Sequence, residues 1–173
     1  MPPRNKGFGW ALVLVFLAGA NVAATPAEKV ELKLALERQE YKLSEPIEVE
    51  FQLINQGEKP VWVNRRFKMG SDKAAPDQKE IVLQVKEEGG GPVEMKDFDY
   101  ESGLPRSDHF QQLKLGEQAV AEKKWNLKDL AKIEKPGEYV LTAAYQNAHG
   151  KELGLDVFKQ KITSGVKFKV VEG

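Results

Sequence analysis

The sequence predicts an all-β fold, an antiparallel β-sandwich of about seven to nine strands. Short segments in which apolar and polar residues alternate recur along the chain, and turn residues such as Gly, Pro and Asn separate them. The chain has 173 residues, of which 41% are apolar and 30% are charged. These proportions are typical of one globular domain with a single core.

The first residues predict a secretory signal at 1–24. Arg4 and Lys6 precede an apolar run at 10–20, and small residues at 22–24 place the cleavage before Thr25. The run is shorter than the roughly 20 residues that span a bilayer, which argues against a membrane anchor. We therefore predict that residues 25–173 form the mature domain, which is periplasmic or secreted and separate from the membrane after signal cleavage.

Composition excludes several kinds of site and partner. The chain contains no cysteine, so it has no disulfide, no thiolate zinc site and no acylated anchor. Lysine plus arginine number 26 and aspartate plus glutamate number 26, so there is no overall basic character. This balance argues against a dedicated nucleic-acid binder, which needs a cationic surface.

Two strands are predicted near the start of the mature chain, at 30–37 and 47–55, because every second residue is apolar. Between them, residues 41–46 are predicted to form a corner at which Tyr41 and Leu43 cap the core. The residues expected to face the core from the two strands are Val30, Leu32, Leu34, Leu36, Ile47, Val49, Phe51 and Leu53.

The middle of the chain alternates between strands and breaks. Strands are predicted from Val61 to Asn64 and over residues 80–86, with a loop at 69–78 between them. A glycine-rich break at 89–91 ends the second of these strands, and a short extended segment follows at 93–96.

Residues 97–108 predict a long irregular loop. Strands are then predicted at 110–115 and 119–125. The apolar residues that follow lie at helical spacing, which indicates one or two helical turns before the Pro136-Gly137 corner. They are Leu127, Leu130, Ala131 and Ile133.

The last part of the chain predicts the strands that close the sandwich. After Pro136-Gly137, residues 139–146 place Tyr139, Leu141 and alternate residues on one face. A weaker strand is predicted around residues 153–158, and a final one at 166–171.

Three segments together resemble a bacterial immunoglobulin-like domain. They are YKLSEPIEV (41–49), FQLINQGEKPV (51–61) and PGEYVLTAAY (136–145), and the final TSGVKFKV (163–170) fits a terminal strand. The pattern is similar to that of the intracellular proteinase inhibitor family and of exported Ig-like modules. The resemblance implies a tyrosine corner, in which the Tyr139 hydroxyl bonds to the backbone upstream. Leu141 stands where antibody-type domains have a cysteine, and the resemblance implies no catalytic residue.

The loop at 97–108 carries the residues with the clearest chemical potential. Asp97, Asp99 and Glu101 alternate and are candidate calcium ligands, although the run lacks the glycine and the distal glutamate of an EF-hand loop. A solvated acidic loop is the alternative. If saturating calcium left the melting temperature of the protein unchanged, the prediction of a calcium site would be rejected.

Aromatic residues on and after the same loop are candidates for ligand binding. Phe98, Tyr100 and Phe110 could form a contact patch, or could instead anchor the loop against the sandwich. His109 and His149 are expected at the surface, without a metal or a catalytic role.

The function predicted from these observations is a non-catalytic exported Ig-like module. It binds an unknown protein or glycan of the cell envelope through its end loops, and no cofactor is expected. The first alternative is a protease inhibitor that acts through an exposed loop. An enzyme of unknown class is the second alternative, and the chain shows no nucleophile-elbow or phosphate-binding motif that would favour it.

Overall fold

A computed structural model describes residues 28–70, 79–96 and 103–173. The predicted signal, part of the 69–78 loop and residues 97–102 lie outside the described ranges. Ten strands, one α-helical turn and two 3-10 turns are found within them. The protein is therefore mostly β, as the alternating pattern predicts, and its described helices are all too short to cross a membrane.

The first sheet is built on the strand with the strongest alternation. Strand β3 (Glu48–Asn55) pairs antiparallel with β1 (Val30–Leu36) along one edge. Its other edge pairs with two short strands, β7 (Gln118–Val120) and β8 (Trp125–Asn126). Alternate residues of β3 are buried, so one face of this sheet packs on the core.

The second sheet has the order β2-β10-β9-β5. Strand β9 (Gly137–Tyr145) lies between β5 (Ile81–Glu87) and β10 (Ile162–Val171), and both pairs are antiparallel. The short β2 (Glu40–Lys42) runs parallel to the end of β10. A third, two-stranded sheet pairs β4 (Val61–Asn64) with β6 (Phe110–Leu113).

Side chains from the sheets meet in one core. Phe51 of β3 lies 6.5 Å from Phe67, ring centroid to centroid, and Phe67 lies 6.4 Å from Tyr145 of β9. All three rings are at most 1% exposed. Phe67 thus joins the first sheet to the second, and burying side chains of this size supplies the main driving force for folding.

The corner before β9 has the geometry implied for Tyr139. Its hydroxyl donates a 2.8 Å hydrogen bond to the carbonyl oxygen of Lys135, four residues upstream. The Tyr139 ring stacks on Phe168 of β10 with the centroids 5.5 Å apart. This contact and this bond fix the entry of β9 into the sheet.

The helical turn before that corner is confirmed. Helix α1 (Leu127–Leu130) buries Leu127 and Leu130, and Asn126 caps it by accepting a bond from the backbone N–H of Lys128. The same Asn126 oxygen accepts from the N–H of Ile47. The cap therefore ties the helical turn to the start of β3.

Two of the local predictions, the strands at 119–125 and 153–158, were wrong. The strand predicted at 119–125 is two strands, because the polar residues 122–124 leave the sheet between β7 and β8. The segment predicted as a strand at 153–158 begins with a 3-10 turn at Lys151–Leu153, and only Val157 pairs, with Trp62. The predicted corner is confirmed by the turn and bend at 43–45, and Tyr41, expected to cap the core, is 2% exposed. Residues 40–42 form strand β2, which pairs with β10 because Tyr41 is buried against Phe168.

Candidate functional site

Buried polar side chains gather where three strands end or begin. Strand β4 ends at Asn64, β5 starts just after Glu80, and β9 ends just before Asn147. We call Asn64, Arg66, Glu80, Tyr145 and Asn147 the Glu80 cluster. Glu80 is 1% exposed, a degree of burial that a carboxylate tolerates only when it is paired and hydrogen-bonded.

The Glu80 carboxylate accepts hydrogen bonds from four donors. Arg66 donates from Nε to Oε2 at 3.1 Å and from Nη2 to Oε1 at 2.5 Å. The backbone N–H of Lys68 donates to Oε2 at 2.8 Å, and Asn64 Nδ2 donates to Oε1 at 3.1 Å. The charge is therefore matched by a guanidinium, and both oxygens are satisfied.

Asn64 links the carboxylate to the ends of the other strands. Its Nδ2 also donates to Asn147 Oδ1 at 3.1 Å. Its backbone N–H donates to the Tyr145 hydroxyl, which in turn donates to the Asn64 carbonyl oxygen at 3.0 Å. Burial raises the pKa of Tyr145, so the hydroxyl stays neutral and keeps the proton that it donates.

The segment that carries Arg66 has an unusual backbone. Phe67 has φ of 49°, the left-handed region, which a bulky side chain rarely adopts. The Phe67 ring is buried in the core. The backbone on either side of Phe67 is hydrogen-bonded, because the Arg66 N–H donates to Asn64 Oδ1 and the Lys68 N–H donates to Glu80. The Glu80 cluster thus holds a strained segment that costs on the order of 1–3 kcal/mol.

The same segment is bonded to the end of the predicted 97–108 loop. We call residues 103–109 the anchored loop. Arg66 donates from Nη1 to the Gly103 carbonyl oxygen at 2.8 Å. Arg65 donates from its backbone N–H to the His109 carbonyl oxygen at 2.8 Å and from Nη2 to that of Asp108 at 3.2 Å. Both ends of the anchored loop are therefore attached to the residues after β4.

The anchored loop presents an apolar side chain to solvent. Leu104 is 75% exposed, although the next residue, Pro105, is buried. Later in the loop, Arg106 Nη2 lies 2.9 Å from Asp108 Oδ2, and this hydrogen bond lowers the pKa of the Asp108 carboxyl. The His109 ring accepts from the Arg106 N–H, which closes a 3-10 turn at Ser107–His109. The loop is thus compact and holds Leu104 outward.

Most residues predicted for the site lie outside the described part of the chain. This applies to the calcium candidates Asp97, Asp99 and Glu101, and to the aromatic candidates Phe98 and Tyr100. Among the described residues, no group of three or more His, Asp or Glu side chains could hold a metal ion. Calcium binding by the loop stays a prediction.

Phe110 and the histidines are within the described part. Phe110 begins β6 and is 6% exposed, so its side chain lies in the interior, as the anchoring alternative expects for it. His149 is 9% exposed rather than at the surface, because its turn folds back on Asn147, whose Nδ2 donates to the His149 carbonyl oxygen. The predicted surface position was therefore wrong for His149.

Comparison with known proteins adds little to this picture. No family model matches the chain, and no curated protein sequence matches it. One similar solved structure is a β-glucosidase from Erythrobacter marinus, which is 15% identical over 83% of this chain, with a TM-score of 0.38. The chain spans only 16% of the length of that structure. A TM-score this low does not show a shared fold, and nothing about activity follows from it.

Proposed function

We propose that the chain is an exported, non-catalytic module with an Ig-like β-sandwich fold, which binds a protein or glycan of the cell envelope through its end loops. One contact supports the Ig-like fold. The Tyr139 hydroxyl donates to the carbonyl oxygen of Lys135, as in a tyrosine corner. Export rests on the predicted signal at residues 1–24.

The observation that carries the binding proposal is the exposure of Leu104 on the anchored loop. Binding sites are commonly on loops that a rigid scaffold positions. A loop that is already fixed loses less conformational freedom on association, so its contacts contribute more to affinity. Leu104 is the most exposed large apolar residue in the described part of the chain, and Arg65 and Arg66 fix the loop that carries it.

Replacing Leu104 by serine is expected to weaken partner binding at least tenfold, because the partner would bury this apolar side chain. Stability is expected to change by less than about 0.5 kcal/mol, because the side chain is 75% exposed in the folded protein. Immobilised wild type and variant would be incubated with the same envelope extract, and the proteins and glycans retained by each would be quantified. Urea unfolding of both proteins gives the stability.

Leu115→Ser is the matched control, because Leu115 is 62% exposed in the turn between β6 and β7. It is expected to retain the same partners as wild type. If Leu104→Ser retained them in the same amounts, the anchored loop would not be the contact surface. If Leu115→Ser lost them equally, exposed leucines in general, rather than this loop, would explain the binding.

A protease inhibitor is the second candidate, and one observation favours it. Leu104 directly precedes Pro105, and the residue before a proline favours an extended backbone. Leu104 is therefore an extended, solvent-facing apolar residue on a fixed loop. An exposed extended segment can enter the cleft of an endopeptidase. A panel of exported endopeptidases, including ones that accept leucine, tests this candidate. Full activity of all of them at saturating protein would remove it.

A further inference from the structure

The Arg66 side chain joins two parts of the protein that have different exposure. Its Nε and Nη2 groups are committed to Glu80, which is in the core, and its Nη1 group donates to Gly103, the first residue of the anchored loop. The Arg66 side chain is 14% exposed, whereas that of Arg106 within the loop is 73% exposed. A planar guanidinium can make both sets of bonds at once because its donors point in fixed, different directions.

We propose that Arg66 is a conformational latch, which fixes the Gly103 end of the anchored loop to the buried carboxylate of Glu80. When the latch opens, this end of the loop is released while the β-sheets stay folded. Leu104 directly follows Gly103 in the chain, so the latch sets the direction in which the Leu104 side chain points into solvent. The consequence for partner binding rests on the proposed function, but the latch itself does not.

Local release is expected because, within the described ranges, Arg66 supplies the hydrogen bond that holds the Gly103 end, and the buried Pro105 adds only apolar contact there. The contacts of Arg65 fix the far end of the loop, at Asp108 and His109. The ion pair between Arg106 and Asp108 lies within the loop and does not attach it to a sheet. Glu80 would still accept from Lys68 N–H and Asn64, so the residues after β4 would keep part of their support.

Arg66→Lys tests the latch while it keeps a positive charge beside Glu80. A lysine ammonium can pair with the carboxylate, but it lacks the second, divergent donor that reaches Gly103. In the peptide that covers residues 103–110, we expect hydrogen exchange to become about tenfold faster at Arg106, whose backbone N–H donates to His109 Nδ1 within the loop, with exchange in β9 unchanged. Mass spectrometry of peptides from the exchanged protein measures both segments in one sample. Arg38→Lys, remote from the loop and paired with Glu45, is the matched control and is expected to leave residues 103–110 at the wild-type rate.

Limited digestion with trypsin gives a second measurement on the same proteins. The bond after Arg106 is in the anchored loop, and its cleavage is expected to be about tenfold faster in Arg66→Lys than in wild type or Arg38→Lys. The double variant R66Q/E80Q removes both charges together, so it leaves no buried charge without a partner, and it is expected to release the same segment.

The two measurements distinguish a local release of the anchored loop from a general loss of stability. Unchanged exchange and cleavage in residues 103–110 of both Arg66 variants would overturn the latch. An equal rise in residues 103–110 and in β9 would also overturn it, because it would show a general loss of stability instead of a local release. A released loop together with normal binding by Leu104→Ser would support the latch and contradict the proposed function.

Discussion

Replacing Glu80 by alanine is expected to lower the free energy of unfolding by about 3–5 kcal/mol. The substitution removes the acceptor of four hydrogen bonds and leaves the Arg66 guanidinium largely buried without its counter-charge. Breaking one side of a buried ion pair is costly because the remaining charge is still out of water. Urea unfolding followed by far-ultraviolet circular dichroism measures the loss.

Glu88→Ala is the control for this prediction. Glu88 pairs with Lys167 at 2.5 Å, but the two side chains are 40% and 69% exposed. Water therefore solvates the remaining lysine charge when the pair is broken. Its loss of stability is expected to be much smaller than that of Glu80→Ala. Equal losses in the two variants would mean that Glu80 is solvated in the folded protein and that the Glu80 cluster does not support the fold.

Phe51→Ala is expected to cost about 3–5 kcal/mol by a different mechanism. Phe51 is fully buried on β3, and its ring stacks on Phe67, which in turn contacts Tyr145 of the second sheet. Removing the ring leaves a cavity between the sheets that the neighbouring side chains fill only in part. Urea unfolding again gives the loss in stability.

Leu115→Ala is the control for Phe51→Ala, because it also shortens an apolar side chain, but one that is 62% exposed. Its effect is expected to stay within about 0.5 kcal/mol. A Phe51→Ala protein as stable as Leu115→Ala would contradict the packing of the two larger sheets on one core.

The strands could be predicted from the sequence where one face of a sheet is buried. In β3 and β9 every second residue is apolar, and these residues, such as Phe51 and Leu141, are fully buried. Short strands were harder, because two or three residues carry no period. Strand β2 forms because Tyr41 packs on Phe168, and this contact between distant parts of the chain leaves no local pattern.

The Glu80 cluster could not be predicted for the same reason. In the sequence, Glu80 looks like any charged residue beside an alternating strand. It is buried because Arg66, 14 residues earlier, and Asn64 supply donors to it. Asn64 is itself bonded to Asn147, which is 83 residues away. Polar partners this far apart in the chain are set by strand order, which periodicity does not reveal.

The sequence indicates the candidate loop at 97–108 through its acidic and aromatic residues, and their role in binding stays a prediction. The described end of this loop is the segment that Arg65 and Arg66 hold. The exposed leucine at 104 was not predicted, because an isolated apolar residue beside a proline is equally typical of a buried loop anchor. Pro105, its neighbour, is such an anchor.

Exchange of the Arg66 Nε proton with solvent, measured by nuclear magnetic resonance, tests the attachment of the loop to the core most directly. We predict that this proton exchanges at least about tenfold more slowly than the Nε protons of Arg38 and Arg106, whose side chains are 51% and 73% exposed. Equal exchange of all three protons would show that the Arg66 guanidinium is in water, and would contradict both the buried ion pair and the latch.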